Sequence, residues 1–227
     1  MTYDLYIGDR MFSSWSLRGW LMFERFDIPC RTHLVGLYAG TMAQEMADLA
    51  PARLVPAVRT EAGTVIAESL AIGETLAEAH PDAGHWPKDP GLRATARWLC
   101  SEMSAGFMAL RADCPMQLQY CHVGFQASPK VLADLARLED LWNHARALSG
   151  SKTWLFGDYC LADVFYVPVA ARIIGYGLPV SDAARAYCLA LLGDQPVQNW
   201  RAAAHEVTYE PDPYALDLPK QDWPSFA

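Results

Sequence analysis

Apolar and polar residues alternate at the start of the chain, with Tyr3, Leu5 and Ile7 on one side, which predicts a strand over 3–7. The pattern then changes period. Ser13-Ser14-Trp15-Ser16 stands ahead of Leu17-Arg18-Gly19-Trp20-Leu21-Met22-Phe23, serines before an apolar helical run, and the helix should end before Asp27-Ile28-Pro29. A second strand over 30–36, a short helical piece over 41–49 and a strand headed by Pro56 follow. A hairpin partner near 64–67 and a helix from Ser69 to about Ala79 complete the first half. Residues 81–90 hold Pro81, Pro87, Pro90 and Gly84 and read as a linker. Beyond it no convincing strand pattern occurs. Helical periodicity runs near 91–119, 129–148, 161–174, 181–192 and 196–205. The proline-rich end predicts an extended tail anchored by Tyr214 and Trp223. The expected fold class is therefore α/β plus all-α: a sheet domain over 1–80, a linker over 81–91 and an all-helical domain over 92–227.

Composition narrows the function classes. Hydrophobic residues make up 52% of 227 and charged residues 19%, enough for a large core and unlike a disordered chain. The net charge is −8 and the 18 basic residues are scattered, which argues against a nucleic-acid partner. The apolar run from Leu161 to Ile174 carries Asp163 and Arg172, so no membrane span is expected. The start of the chain lacks a basic region followed by an apolar run, so no signal peptide is expected either. The six cysteines are irregularly spaced without a C-x-x-C pair, and the six histidines show no ligand spacing. Reduced thiols, a cytoplasmic location and no metal are the expectation.

The candidate chemistry lies in two segments. In Val55-Pro56-Ala57-Val58 the proline cannot donate to a ladder and pushes the residue before it into an extended shape. Val55 can then offer its N–H and C=O to an extended ligand, as an added strand would. Glu68-Ser69 opens a helix, whose free N–H groups favour a carboxylate. Taken alone, a proline at a strand start is a turn device and a serine at a helix start is a cap. Together they offer a ledge for a peptide backbone and a seat for its carboxylate, and glutathione is the obvious candidate. The second segment holds Ser13, Ser14 and Ser16 at the first helix start. A hydroxyl there can donate to a ligand thiolate, with the helix dipole in support. A free thiol with pKa near 8.5 is only about 3% ionised at pH 7, and lowering that pKa by about two units takes roughly 2.7 kcal/mol. One good donor and a helix terminus are the right size for that task. Which of Ser13 and Ser14 holds the thiolate is open on spacing alone.

These segments resemble the cytosolic glutathione transferases over nearly the whole chain. The first half is similar to their thioredoxin-like glutathione-binding domain, with Val55-Pro56 at the family's cis-proline and Glu68-Ser69 at its γ-glutamyl site. Ser13-Ser14-Trp15-Ser16-Leu17-Arg18 resembles the Ser-Ser-Cys-x-x-Arg motif of the zeta class, known for maleylacetoacetate isomerase activity. The resemblance assigns the catalytic serine to Ser13 and glutathione contacts to Ser14, Val55, Pro56, Glu68 and Ser69. Gly157-Asp158-Tyr159-Cys160-Leu161-Ala162-Asp163 is similar to the family's folding motif, a capping box that opens a buried helix.

Three positions depart from the zeta pattern. Trp15 replaces the cysteine, Leu54 replaces the glutamine that often precedes Val-Pro, and Cys160 replaces the Ser or Thr cap. A thiol is a weak acceptor, so the capping box should be half formed and rest on Asp163. For a second-substrate site the candidates are Phe12, Trp15, Met103, Phe107 and Arg111. The last three fall at i, i+4 and i+8, on one face of the expected helix. The family resemblance implies a homodimer, in which Glu102 could reach the amino group of glutathione across the interface. The expected function is a glutathione transferase acting on a small electrophile. The alternatives are a glutathione-dependent cis–trans isomerase of the maleylacetoacetate type and a non-catalytic glutathione-binding module.

Overall fold

A computed structural model describes residues 2–225, with the side chain of Pro213 left aside. The chain opens with strand β1 (Tyr3–Ile7), whose alternation buries Tyr3, Leu5 and Ile7. Helix α1 (Ser14–Glu24) follows, then strand β2 (Cys30–Leu34), short helix α2 (Met42–Glu45) and a 3₁₀ turn over Ala47–Leu49. Strands β3 (Ala57–Thr60) and β4 (Val65–Ala67) form the hairpin, and helix α3 (Ser69–Ala79) closes the first half. The sheet order is β2-β1-β3-β4. β1 runs parallel to β2 with Tyr3 opposite Cys30, and antiparallel to β3 with Tyr3 opposite Thr60. This is a thioredoxin-like sheet domain.

Helices dominate the rest. They are α4 (Pro90–Ala105), α5 (Met108–Asp113), α6 (Pro129–Ser149), α7 (Leu161–Gly175), α8 (Asp182–Gly193) and α9 (Gln195–Ala204). Proline at the first position and a capping side chain explain two of the starts. Leu92 N–H donates to Asp89 Oδ1 at 2.8 Å ahead of α4, and Val131 N–H donates to Ser128 Oγ at 3.3 Å ahead of α6. α7 is buried along its whole length and packs against α1, α4 and α8. Among the described residues no helix is long and apolar enough to cross a membrane.

The helical expectation over 91–119 is corrected. The helix stops at Ala105, Gly106 is extended, and Phe107 caps α5 with a left-handed φ of 58°. Met103 and Arg111 therefore lie on different helices, and the i, i+4, i+8 face does not exist. The expectation of no strand in the second half is also corrected: Cys121–His122 (β5) pairs antiparallel with Lys220–Gln221 (β6). Two-residue strands are too short to show alternation. The half-formed capping box is a third correction. Asp163 Oδ2 accepts from Cys160 N–H at 3.0 Å, and the Cys160 thiol also meets the backbone at the third helical position, so both arms are present.

The two halves are joined through their interiors. The guanidinium of Arg18, buried on α1, donates through Nε to Phe165 O on α7 at 2.9 Å. Gly73 on α3 has no room for a side chain, because a Cβ there would lie 2.8 Å from Leu161 Cδ1. Trp200 on α9 donates to Arg10 O at 2.9 Å, tying the far end of the helical half to the β1–α1 loop.

Candidate active site

The backbone builds one side of a cleft of about 390 Å³ lined by Trp15, Leu54, Val55, Pro56, Glu68 and Ser69. The Val55–Pro56 peptide is cis, as is Ala50–Pro51. β3 starts only at Ala57, so Val55 lies outside the ladder, facing the cleft. Gly19 on α1 lets this segment lie down on the helix: a Cβ there would sit 2.5 Å from Pro56 Cβ. Across the cleft, Glu68 takes a φ of 68° and makes no side-chain cap bond. A non-glycine residue held there stores roughly 1–3 kcal/mol of strain, which the hairpin and α3 together must hold. Ser69, at the N-terminus of α3, is buried and its hydroxyl has no hydrogen-bond partner among the described residues. A buried hydroxyl left unpaired costs about 1–3 kcal/mol, and an acceptor or donor from a ligand would recover it.

The serines at α1 differ in what they are already doing. Ser13 is the N-cap: its Oγ accepts from Ser16 N–H at 3.2 Å and donates to Ser16 Oγ at 2.7 Å. Ser16, fully buried, also accepts from Gly8 N–H at 2.8 Å. Ser14 is half-buried at the first helical position, and no hydrogen bond engages its hydroxyl among the described residues. Next to them the Trp15 ring has two cations close to it, with the guanidinium carbons of Arg18 and Arg111 at 4.5 and 5.1 Å from its centroid.

The other second-substrate candidates divide. Phe12 is buried and meets the C-terminal tail, its ring 4.5 Å from that of Tyr214, 6.0 Å from Tyr209 and 6.1 Å from Tyr38. The Tyr38 and Tyr214 hydroxyls are 2.5 Å apart. Met103 and Phe107 are buried in the main core. Arg111 is half-buried and donates to Ser104 O at 3.3 Å. Glu102 is engaged within its own chain: both carboxylate oxygens accept from Arg137, at 2.7 and 3.0 Å, and one also accepts from Trp98. Arg137 holds its pKa below the ordinary glutamate value.

Three residues near this region carried no motif. Tyr38 and Tyr214 wall Phe12 from a loop and from the tail; nothing local distinguishes Tyr38, whereas Tyr214 was expected to anchor the tail but not to meet Phe12. Arg172, buried in α7, donates to Pro168 O at 3.0 Å, and its Nε has no partner among the described residues. Its signal in the sequence is the lone cation in an apolar helical run. Among the described residues no group of histidine, cysteine or acidic side chains is placed to hold a metal.

Residues 12–79 match the family described as glutathione S-transferase, N-terminal domain. A probable maleylacetoacetate isomerase from Caenorhabditis elegans is 37% identical over 106 residues, 47% of this chain and 48% of that protein. The match thus spans about half the length of the curated relative. A glutathione transferase homologue from Burkholderia, solved with bound glutathione, superposes with a TM-score of 0.66 at 22% identity, covering 92% of this chain and 100% of its own. Glutathione transferase Omega 3C from Trametes versicolor gives 0.67 at 23%, covering 94% and 91%. At those identities the solved structures speak for the fold.

Proposed function

Because the chain carries a glutathione S-transferase N-terminal domain on a glutathione transferase fold, we propose that it binds glutathione in the Trp15–Val55–Ser69 cleft and transfers it to a small electrophile. The observation that carries this reading is the unpartnered, buried hydroxyl of Ser69 facing the cis Val55–Pro56 ledge in one cleft. In this reading Val55 N–H and C=O pair with the extended peptide. Glu68 and Ser69, with the α3 N-terminus, take the γ-glutamyl end, where the amino group meets Glu68 and the carboxylate meets Ser69. Pro56 shapes the ledge. Trp15 brings the cleft to the first turn of α1; neither Ser13 nor Ser14 is in its lining, and in this reading the thiol extends past Trp15 to Ser13, with Ser14 beside it.

The chemical step is a proton loss followed by an attack. The thiol proton leaves to solvent, and a serine hydroxyl at the positive end of α1 donates to the sulfur that remains. The thiolate forms a C–S bond to the electrophilic carbon, and the leaving group departs with the electron pair of the broken bond. The serine forms no covalent bond. Ser13 can serve the sulfur only by turning its hydrogen from Ser16 Oγ, whereas Ser14 can do so without breaking any bond. The glutathione thiol pKa in each variant separates the two. With Ser13 as the donor, Ser13→Ala raises that pKa by about 1–2 units, read from the ultraviolet thiolate band, and Ser14→Ala leaves it within a few tenths. The reverse pattern moves the role to Ser14.

The similarity to the nematode relative favours a second reading, glutathione-dependent cis–trans isomerisation, in which the thiolate adds to a double bond and is expelled after rotation. Trp15 in place of the zeta cysteine weighs against it. A cytoplasmic homodimer, divided at residues 1–80, 81–91 and 92–227, belongs to the proposal. A cross-dimer role for Glu102 would have to displace Arg137.

Calorimetry with glutathione tests the whole reading. Wild type should bind at or below millimolar concentration. Ser69→Ala should bind about tenfold more weakly, the scale of one charge-assisted hydrogen bond. Absence of binding by wild type at millimolar glutathione ends the proposal.

A further inference from the structure

The C-terminal tail is fastened by a very short ladder. Lys220–Gln221 pairs antiparallel with Cys121–His122, His122 standing opposite Lys220, and Val123 N–H donates to Pro219 O at 2.8 Å. A two-stranded ribbon of that length is marginal by itself. Beyond it Trp223 adds an anchor: its ring is buried over Gly175, where a Cβ would lie 3.3 Å from Trp223 Cη2. Ahead of it lies the stretch that sets Tyr209 and Tyr214 against Phe12.

His122 is only 2% exposed, and neither of its ring nitrogens has a hydrogen-bond partner among the described residues. Its ring packs on aromatic neighbours, 5.2 Å from that of Tyr120 and 4.7 Å from that of Tyr176 at the end of α7. A neutral imidazole leaves one N–H and one lone pair unmet there. An imidazolium would bury two unmet donors and a charge, which is far more costly.

The surroundings offer cations rather than a counter-ion. From β6 comes Lys220, its ammonium 4.0 Å from the centre of the Tyr120 ring. From α9 comes Arg201, which donates to Leu118 O and whose charge acts on Cys121. Burial pushes the Cys121 thiol up to about 11, so it is neutral. On the α7 side the Tyr176 hydroxyl donates to Pro115 O at 2.7 Å, and the nearby charge is that of Arg172. The acids are engaged: Glu210 pairs with Lys220 at 3.3 Å and accepts from the Tyr120 hydroxyl, and Asp222 acts on Arg201. Burial first, and Lys220 next, hold His122 below its ordinary 6.5.

From this arrangement we infer that His122 is a proton-operated latch on the C-terminal strap: the neutral ring keeps β6 closed on β5, and proton uptake favours an open strap in which the ring reaches water. The latch is independent of the glutathione reading. In the open strap the imidazole is solvated and titrates near its ordinary value of about 6.5. Below that pH the open form binds more protons than the closed form, so closure weakens as pH falls. The opening constant rises by up to about tenfold per pH unit until the closed form is protonated too, and above about pH 7 this group leaves closure unchanged. Opening also releases the far end of the Tyr209–Tyr214 stretch. Mild acid therefore loosens the wall beside Phe12 while the helical core stays folded.

Amide hydrogen exchange tests the latch, read by mass spectrometry on peptides covering 119–124 and 216–225 at about pH 7.5, 6.5 and 5.5. Each rate is divided by the intrinsic rate at that pH, and α7 peptides report global folding. Wild type should lose about three- to tenfold of strap protection between pH 6.5 and 5.5, with α7 unchanged. His122→Phe, a neutral ring of similar size, should hold strap protection level across the range, and Glu210→Gln should keep the wild-type loss. Should α7 exchange show that His122→Phe is unfolded, His122→Gln takes its place. A second measurement needs no variant: nuclear magnetic resonance titration of the wild-type His122 ring should give a pKa below 6.5. Level strap protection in wild type overturns the inference, as does a loss that persists without the imidazole, a loss that vanishes in Glu210→Gln, or a ring that titrates at or above 6.5.

Discussion

Asp163 shows what a single side chain carries here. It is fully buried, yet its carboxylate accepts from Cys160 N–H at 3.0 Å, Leu155 N–H at 3.2 Å and the Tyr187 hydroxyl at 2.8 Å. Burial pushes its pKa up to about 6 from an ordinary 3.8, and those three donors limit the rise. The folded state therefore holds a proton more tightly than the unfolded chain between about pH 4 and 6. As pH falls through that window this group adds stability, and as pH rises through about 6 the contribution is lost. Urea unfolding of wild type and Asp163→Asn should show it, since other titrations cancel in the difference. The variant should be less stable by about 2 kcal/mol at pH 7.5, where its amide meets donors with a donor. The gap should widen by a further amount of up to about 3 kcal/mol between pH 7 and pH 4. A gap that narrows on acidification would contradict the raised pKa.

At the scale of elements, a glycine in a helix is expected to cost about 1 kcal/mol relative to alanine. Gly19 of α1 should behave in the opposite way, because its missing side chain is where the Pro56 ring rests. Gly19→Ala should lower stability by about 1–3 kcal/mol through overpacking. It should also weaken glutathione binding by displacing Val55, seen as a lower melting temperature and a weaker calorimetric affinity. A variant that melts higher and binds as before would show that the ledge does not depend on this contact. The same helix illustrates what a sequence can tell. α1 and α3 announce themselves through periodicity and through serines at their starts, and α7 through a long apolar run interrupted only by Asp163 and Arg172. The break between α4 and α5 does not, because Gly106 marks a helix end only weakly and nothing in Phe107 advertises a left-handed backbone. Ser13, Val55 and Ser69 were readable because local order places them. Tyr38 was not, because it meets Phe12 only once distant segments fold together, and Tyr214, legible as a tail anchor, gave no sign of the ring it packs against.

For the molecule as a whole, the joint between halves is the governing feature. Arg18 reaches into α7, Gly73 admits Leu161, Leu161 N–H donates to His85 O at 2.9 Å, and His85 meets Met22 O at 3.0 Å. Breaking either half would strand buried polar groups of the other. Thermal unfolding should accordingly be one transition, with calorimetric and van't Hoff enthalpies equal. Two resolved peaks would show that the halves melt independently.

The tail runs counter to this unity. From Tyr209 to Tyr214 it lies against Phe12, and β6 then fastens it to β5. The cleft proposed for glutathione draws instead on α1, the Pro51–Pro56 loop and the start of α3. One wall beside Phe12 is thus written in a short terminal stretch, apart from the residues that lock the halves together. Under the proposed function, heritable change in that stretch would redraw which molecules are admitted while the proposed glutathione cleft is inherited intact, so selectivity and foldability would evolve on separate clocks.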